Sequence, residues 1–406
     1  MIEFESPMRI LFLASRFPYP LTQGDRLRAY HFLRLLSKHH HVTLVAPIQT
    51  REEYQGLALL QSVCQQVEVV PVSKVSRVLN LVKASFLPLP WQVIYYLSHR
   101  IQQKIEQLLS QTTFDVIHVQ LARMAPFVQQ WDKTPKVLDF IDALSLNMTR
   151  RAKQEKGLVS WLFTSEAKRM QKYERRLTSG FHQLTVCSAI DRHAIGSFPD
   201  LHVVPNGVDL ENFPFVAAVR QPNTIIFIGN MGYFPNVNAA QYFINEVLPL
   251  IRAVIPQVRF MIVGPNLPTD LQKQFLQAGV TLTGFVPNVH DYLQIAAVAI
   301  APMEAGSGIQ NKVLEAMATG TPVVATPYGI GSLPVESGKH LLVAADAAEF
   351  AQAVIRLLSD RKLNQEIVTH ARQLVEQHYT WEQSVETLLS IYYKAIQNFQ
   401  DSAKFS

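Results

Sequence analysis

Short runs of β-branched and aliphatic residues recur along the first half of the chain: RILFLAS from Arg9, HVTLVAP from His41, VEVVPV from Val67, DVIHVQ from Asp115, KVLDFI from Lys136, QLTVCS from Gln183 and LHVVPN from Leu201. Helical or polar stretches separate them. Apolar runs of strand length that alternate with helices predict a parallel sheet covered on both faces. After VRQPN at 219–223 the pattern restarts with TIIFIG from Thr224, RFMIVG from Arg259, VTLTGF from Val280, VAIAPM from Val298, PVVATP from Pro322 and HLLVAA from His340. A second sheet of the same kind follows. Between them, residues 205–222 hold Gly207, Pro214 and Pro222 with little periodicity, which places a domain joint there. The pattern predicts a first domain over 1–207, a linker over 208–223 and a second domain over 224–378. A terminal amphipathic helix, 379–406, runs through Trp381, Val385, Leu388, Leu389 and Tyr392. In open parallel sheets ligands bind beyond the carboxyl ends of strands, so two such domains facing each other make a cleft.

Chemistry concentrates in VAIAPMEAGSGIQNKVLEAMATGTPVVATPY, residues 298–328. Gly306, Ser307 and Gly308 form a loop without large side chains, where backbone N–H groups can approach a ligand. A helix is expected at once, carried by Ile309, Val313, Leu314, Ala316 and Met317, with Gly320 as the residue after its cap and Pro322 as a stop. Its first-turn amides and positive dipole end suit a diphosphate. Lys312 in that first turn opposes the dipole unless an anion lies close, and Glu315, three residues on, shares its face and suits ribose hydroxyls. An ordinary surface Lys–Glu pair is the alternative.

Composition narrows the class. The 406 residues exceed one core, and 48% hydrophobic with 17% charged residues describes a globular chain. A net charge of +5 fits anionic ligands without implying a nucleic-acid binder. Cys64 and Cys187 read as reduced core residues with no Cys or His at metal-ligand spacing. Glu3 and Glu5 are wrong for a signal peptide's basic start and no segment reaches bilayer-spanning length, so a cytoplasmic protein, at most peripheral at the membrane's inner face, is expected.

Other candidates follow the strands. Gly24 and Asp25, ahead of a helix through Tyr30, Leu33 and Leu36, make either a plain βα turn or a contact with donor phosphate or acceptor. Gly229, Asn230 and Gly232 stand beyond TIIFI. His118 at the end of one strand, and Asp139 and Asp142 at another, are titratable candidates, although a lone strand histidine is commonly a satisfied core group. Residues 146–176 carry nine Lys or Arg against Glu155, Glu166 and Glu174, with Leu158, Trp161, Leu162 and Phe163 interleaved, which suits either an anionic membrane surface or a solvated helix.

The segment KVLEAMATGTPVVAT resembles the nucleotide-sugar signature of the retaining glycosyltransferases of family four, and GSGIQNKVLEAMA resembles a branch linked to exopolysaccharide and exosortase (PEP-CTERM) gene clusters. The resemblance implies the GT-B fold, two Rossmann-like domains facing across a cleft, with the terminal helix crossing back to the first. It implies a transfer of sugar from a nucleoside diphosphate donor to a glycan or lipid-linked acceptor, with Glu315 on the ribose and the loop amides plus Lys312 on the phosphates. It places Gly229 and Asn230 at the donor, and Asp142 beside the acceptor or the anomeric carbon. Two departures stand out. The family's sugar-contacting glutamate is replaced by Ser307, and its arginine and lysine near Asn230 are absent. No Asp-x-Asp cluster is present, which fits charge neutralisation by protein groups with no metal or other cofactor. A sugar-nucleotide epimerase on the same fold and a non-catalytic nucleotide-sugar sensor remain open. A nicotinamide dehydrogenase is weaker, since Pro334 stands where the third glycine after Gly329 and Gly331 belongs.

Overall fold

The computed structural model describes residues 6–82, 88–215, 220–304 and 308–404. Two units each build their own core: residues 1–205 with 384–406, and residues 206–383. In the first, seven strands form one sheet: β1 (Arg9–Leu13), β2 (His41–Ile48), β3 (Gln66–Pro71), β4 (Val116–Gln120), β5 (Lys136–Asp139), β6 (Gln183–Val186) and β7 (Leu201–Val203). The order is β3-β2-β1-β4-β5-β6-β7, every pairing is parallel, and the direction of winding reverses between β1 and β4. β1 and β4 are almost wholly buried, and Leu11, Leu13, Ile117 and Val119 pack with Ile105, Leu108 and Met170.

The second unit holds six strands: β8 (Thr224–Ile228), β9 (Arg259–Val263), β10 (Val280–Leu282), β11 (Val298–Ala301), β12 (Val323–Ala325) and β13 (Leu342–Val343). They run in the order β10-β9-β8-β11-β12-β13, all parallel, with the reversal between β8 and β11. All thirteen apolar runs of the sequence thus become strands, and the α/β architecture is two Rossmann-like parallel-sheet units.

The segment read as a linker folds onto the second unit. Val208 N–H donates to Tyr379 O at 2.8 Å, and the Asp209 carboxylate accepts from Glu211 N–H, Asn212 N–H and the Asn212 amide. Arg220 fans its guanidinium across the carbonyls of Leu293, Ala296, Thr319 and Gly320 and the Thr321 hydroxyl. Polar bonds of this kind, near or far in sequence, leave no periodic signal. The terminal helix, Trp381–Lys404, joins the first unit from Ser384 on: Ser384 Oγ donates to Pro205 O at 2.8 Å, and Phe399 stacks edge-on with His182. Cys64 and Cys187 are both buried and form no disulfide. No helix among the described residues is long and apolar enough to cross a membrane.

Candidate functional site

In the second unit the expected residues gather where the strand order reverses, beyond the carboxyl ends of β8 and β11. Gly229 follows β8, and a Cβ on it would stand 2.7 Å from Asn236 Nδ2. The bare backbone lets Asn236, from the helix Phe234–Tyr242, lie against the strand end. There it donates to Asn230 O at 2.9 Å and accepts from Lys312 Nζ at 2.7 Å. Asn230 Oδ1 in turn accepts from Gly232 N–H at 2.9 Å and from the Asn266 amide at 3.2 Å. Gly264, at φ +148°, presses closest: a Cβ there would meet Gly229 O at 1.9 Å.

Gly308 is buried at φ +68°, and its carbonyl accepts from Ser332 N–H at 3.3 Å. Gly306 and Ser307 lie outside the described residues. The helix runs Asn311–Ala318, so Ile309 precedes it, because Gln310 is still extended at φ −85°, ψ 95°. Its end is as expected. Gly320 takes φ +75°, its N–H donates to Met317 O, and Thr321 N–H donates to Ala316 O, the paired bonds of a Schellman motif. Arg372 adds a guanidinium bond to Ala318 O at 2.7 Å.

Lys312 and Glu315 sit half-buried on one face of this helix. The Lys312 ammonium lies 4.6 Å from the centre of the buried Phe227 ring, and burial pulls its pKa down to about 7 against the partial support of Glu315. Burial pushes Glu315 up to about 7 as well, with Lys312 opposing. A cation held on a neutral amide and an aromatic face, at the amino end of a helix, is an anion receptor whose charge a ligand would complete.

In the first unit the reversal between β1 and β4 carries a denser set of charges. Gly24 and Asp25 form the first turn of the helix Gly24–Leu36 itself rather than a loop ahead of it. Gly24 is exposed with open space where a Cβ would go, so nothing steric demands glycine there. Asp25 Oδ2 lies 3.6 Å from Arg16 Nε and 3.7 Å from an Arg123 terminal nitrogen. Below them Arg28 and Asp139, both wholly buried, form a two-point ion pair at 2.7 and 3.3 Å, and Asp139 also accepts from Thr185 Oγ1 and Ile141 N–H.

His118 requires a correction. It stands in the middle of β4 rather than at its end, wholly buried, stacked 4.3 Å from Phe12, with Nδ1 bonded to the Tyr392 hydroxyl at 2.8 Å. Burial drives its pKa down to about 4 although Asp139 opposes, so it is a neutral core group with no face open to a substrate. Both faces of this strand are buried, and the partner that holds its ring is 274 positions away.

Asp142 is placed differently. Ile141, a β-branched residue at φ +62°, turns the chain sharply after β5 and sets Asp142 half-buried beyond the sheet. Among the described residues no hydrogen bond reaches its carboxylate, and burial, with Asp191 adding, raises its pKa to about 7 despite Arg28. The carboxyl is poised to take or give a proton near neutrality. Glu174, bonded to Ser145 N–H and Oγ, is also pushed up to about 7 by burial. An open pocket of about 640 Å³ begins at Ser145 and is lined by Leu146, Ala152, Ala167, Ile190 and Ala194 together with the polar Lys153, Lys168, Gln171 and His193. Residues 146–176 form parts of two helices, Leu144–Gln154 and Gly157–Leu177, with Leu158, Val159 and Trp161 exposed. Among the described residues no three His, Cys, Asp or Glu side chains cluster as metal ligands.

Arg16, Arg77, Tyr96 and Arg123 also meet at the first reversal and were not anticipated. They come from four separate segments, and only Arg16, in the loop after β1, carried a positional hint.

Residues 222–360 match a family model described as "Glycosyl transferases group 1". A phosphatidyl-myo-inositol mannosyltransferase of Mycobacterium leprae is 28% identical over 212 residues, 49% of this chain and 54% of its own length. The protein of that name from Mycolicibacterium smegmatis is 24% identical over 310 residues, 71% of this chain and 74% of its own. Among solved structures, a sucrose-phosphate synthase from Thermosynechococcus elongatus superposes with a TM-score of 0.70 at 15% identity, covering 96% of this chain and 100% of its own. Anabaena Alr3699/HepE, in complex with UDP and glucose, superposes with a TM-score of 0.67 at 16% identity over 94% and 98%. The match to group 1 glycosyl transferases is thus confined to residues 222–360, about a third of the chain, and the chain spans about half the length of the first of these relatives.

Proposed function

We propose that the protein moves a sugar from a nucleoside diphosphate donor to a glycan or lipid-linked acceptor, with retention of configuration, in surface or exopolysaccharide assembly. The observation that carries the reading is Lys312: a first-turn helix cation bonded to a neutral amide, at the reversal point of the second sheet. Departure of the diphosphate would be stabilised by Lys312, the helix amides and the backbone beyond Gly229, with Glu315 on the ribose. Asp142 would orient the acceptor or take its proton. Solved relatives of this fold include one described with UDP and glucose, which supports a nucleotide-sugar donor. The exposed Leu158 and Trp161 among basic residues, and a pocket lined by the same helices with both apolar side chains and Lys153 and Lys168, support a lipid-linked acceptor met at the cytoplasmic face of a membrane.

The test is release of free nucleoside diphosphate from a panel of donor sugars, with and without membrane lipid extract. Acceptor-dependent release is expected, and it should persist in EDTA. Glu315→Ala and Lys312→Ala should weaken donor binding with the fold intact. Unchanged affinity in both would remove the site assignment, and sugar interconversion without acceptor would replace transfer by epimerisation.

A further inference from the structure

The helix Lys74–Val82, the helix Trp91–Tyr96, the loop after β1 and the turn after β4 bring three guanidinium groups around one phenol. Arg123 and Arg77 lie 4.2 and 4.5 Å from the centre of the Tyr96 ring, and Arg16 Nε donates to its hydroxyl at 3.3 Å. Arg123 and Arg77 are only 6% and 4% exposed, so these charges are held in a medium that penalises them. Compensation is thin. Arg77 lies against the neutral Gln49 amide oxygen, and Arg26 is already matched by Glu53 at 2.7 Å. Asp25 serves both Arg16 and Arg123, at 3.6 and 3.7 Å, beyond hydrogen-bonding distance.

The sharpest sign is Arg123. Its buried Nε has no hydrogen-bond partner among the described residues, whereas Arg28, close by in the same unit, makes two bonds to Asp139. A buried guanidinium with unused donors is destabilising unless a ligand uses them. Leu121, at φ +70°, aims the turn that carries it, and Gln120 ties that turn to Asp25 O at 3.1 Å. The cluster also stands at the carboxyl end of the first sheet's reversal, where open α/β sheets receive ligands.

We infer that Arg16, Arg77 and Arg123 form a phosphate-binding site in the first unit, completed when a phosphate of the acceptor accepts hydrogen bonds from Arg123 and Arg16 in the excess positive charge around Tyr96. Naming the ligand as acceptor rests on the sugar-transfer reading; the binding of a phosphate does not. A planar guanidinium pair suits tetrahedral oxyanions, which accept from two donors at once.

Binding of inorganic phosphate and of glycerol phosphate is measured by calorimetry in a Lys312→Met background, which silences the second unit. Sedimentation with phosphatidylcholine vesicles, with and without phosphatidic acid, is measured beside it. Saturable binding is expected, weakened at least about ten-fold by Arg123→Gln and by Arg16→Gln, with partial recovery in Arg123→Lys. Arg16→Gln alters a part-exposed side chain and decides the matter if Arg123→Gln does not fold. Binding of glycerol phosphate marks a soluble ester; binding only to phosphatidic-acid vesicles, lost in the same variants, marks a lipid head group. No saturable binding of any probe, or equal binding in both glutamine variants, overturns the site. Phosphate binding here without nucleotide release from any donor would retain it and sink the sugar-transfer reading instead.

Discussion

The carboxyl ends of β1 and β4 in one unit, and of β8 and β11 in the other, occupy the same place in their sheets and are built by opposite means. The first is crowded with charge: Arg28 on Asp139 at its base, Asp25 among arginines above, Asp142 at the rim. The second is made mostly of backbone and amides, with Gly229, Gly264, Asn230, Asn236 and Asn266 in contact and Lys312 with Glu315 as its ionisable pair. A site made of close backbone approach is rigid and is damaged by adding atoms. A site made of buried charges is damaged by removing one.

The contrast can be broken most strongly at Arg28. Arg28→Met strands the wholly buried Asp139 carboxylate and should cost about 3–5 kcal/mol by denaturant titration; a cost under about 1 kcal/mol would show that the first unit does not depend on its charges. Gly264→Ala adds a single methyl group against Gly229 O and should cost about 2–3 kcal/mol. Near-wild-type stability there would deny the close-packing account of the second site.

Lys312→Met sharpens the comparison. It should lower nucleotide affinity by roughly 10–100-fold while leaving thermal stability unchanged or raised, since a buried cation is removed. Wild-type affinity should weaken as pH rises through about 7, where Lys312 loses its proton and Glu315 gains charge, and the Lys312→Met profile should be much flatter. A steep profile in the variant would place the titration elsewhere.

The smallest effect is at Asp142. Its folded pKa is raised, so the stability it contributes is present below about 4 and lost as pH rises through about 7. Asp142→Asn should therefore stabilise the protein at pH 8 by about 1–2 kcal/mol, allowing for partial solvent access, while acceptor-dependent turnover is lost and donor binding kept. Normal turnover in this variant would remove Asp142 from the chemistry.

The strands themselves were legible because period, length and turn residues are local properties. All thirteen strands, the Gly320 helix stop and the shared face of Lys312 and Glu315 follow from spacing alone. What was hidden depends on distant partners. His118 reads as a strand-end titratable group until Tyr392 is seen closing on it, and Arg220 reads as linker until its bonds to Thr319 and Gly320 are known. Gly264 carries no motif, and its necessity arises from a carbonyl 35 residues earlier in the chain, that of Gly229. The arginine group around Tyr96 is spread over four segments and has no spacing at all.

The tail of the helix Asn311–Ala318 has one further consequence. Arg220 and Arg372 donate to the carbonyls of Ala318, Thr319 and Gly320, so the negative pole of this helix is already answered from within the protein. The first turn of the helix, by contrast, carries no acidic residue; it has Lys312. With one pole quenched and the other reinforced, the helix acts less as a dipole than as a single positive point, and its field reaches a ligand undiminished by its own far end. Removing Arg220 would restore the opposing pole and weaken anion binding about 10 Å away along the helix, without touching the ligand.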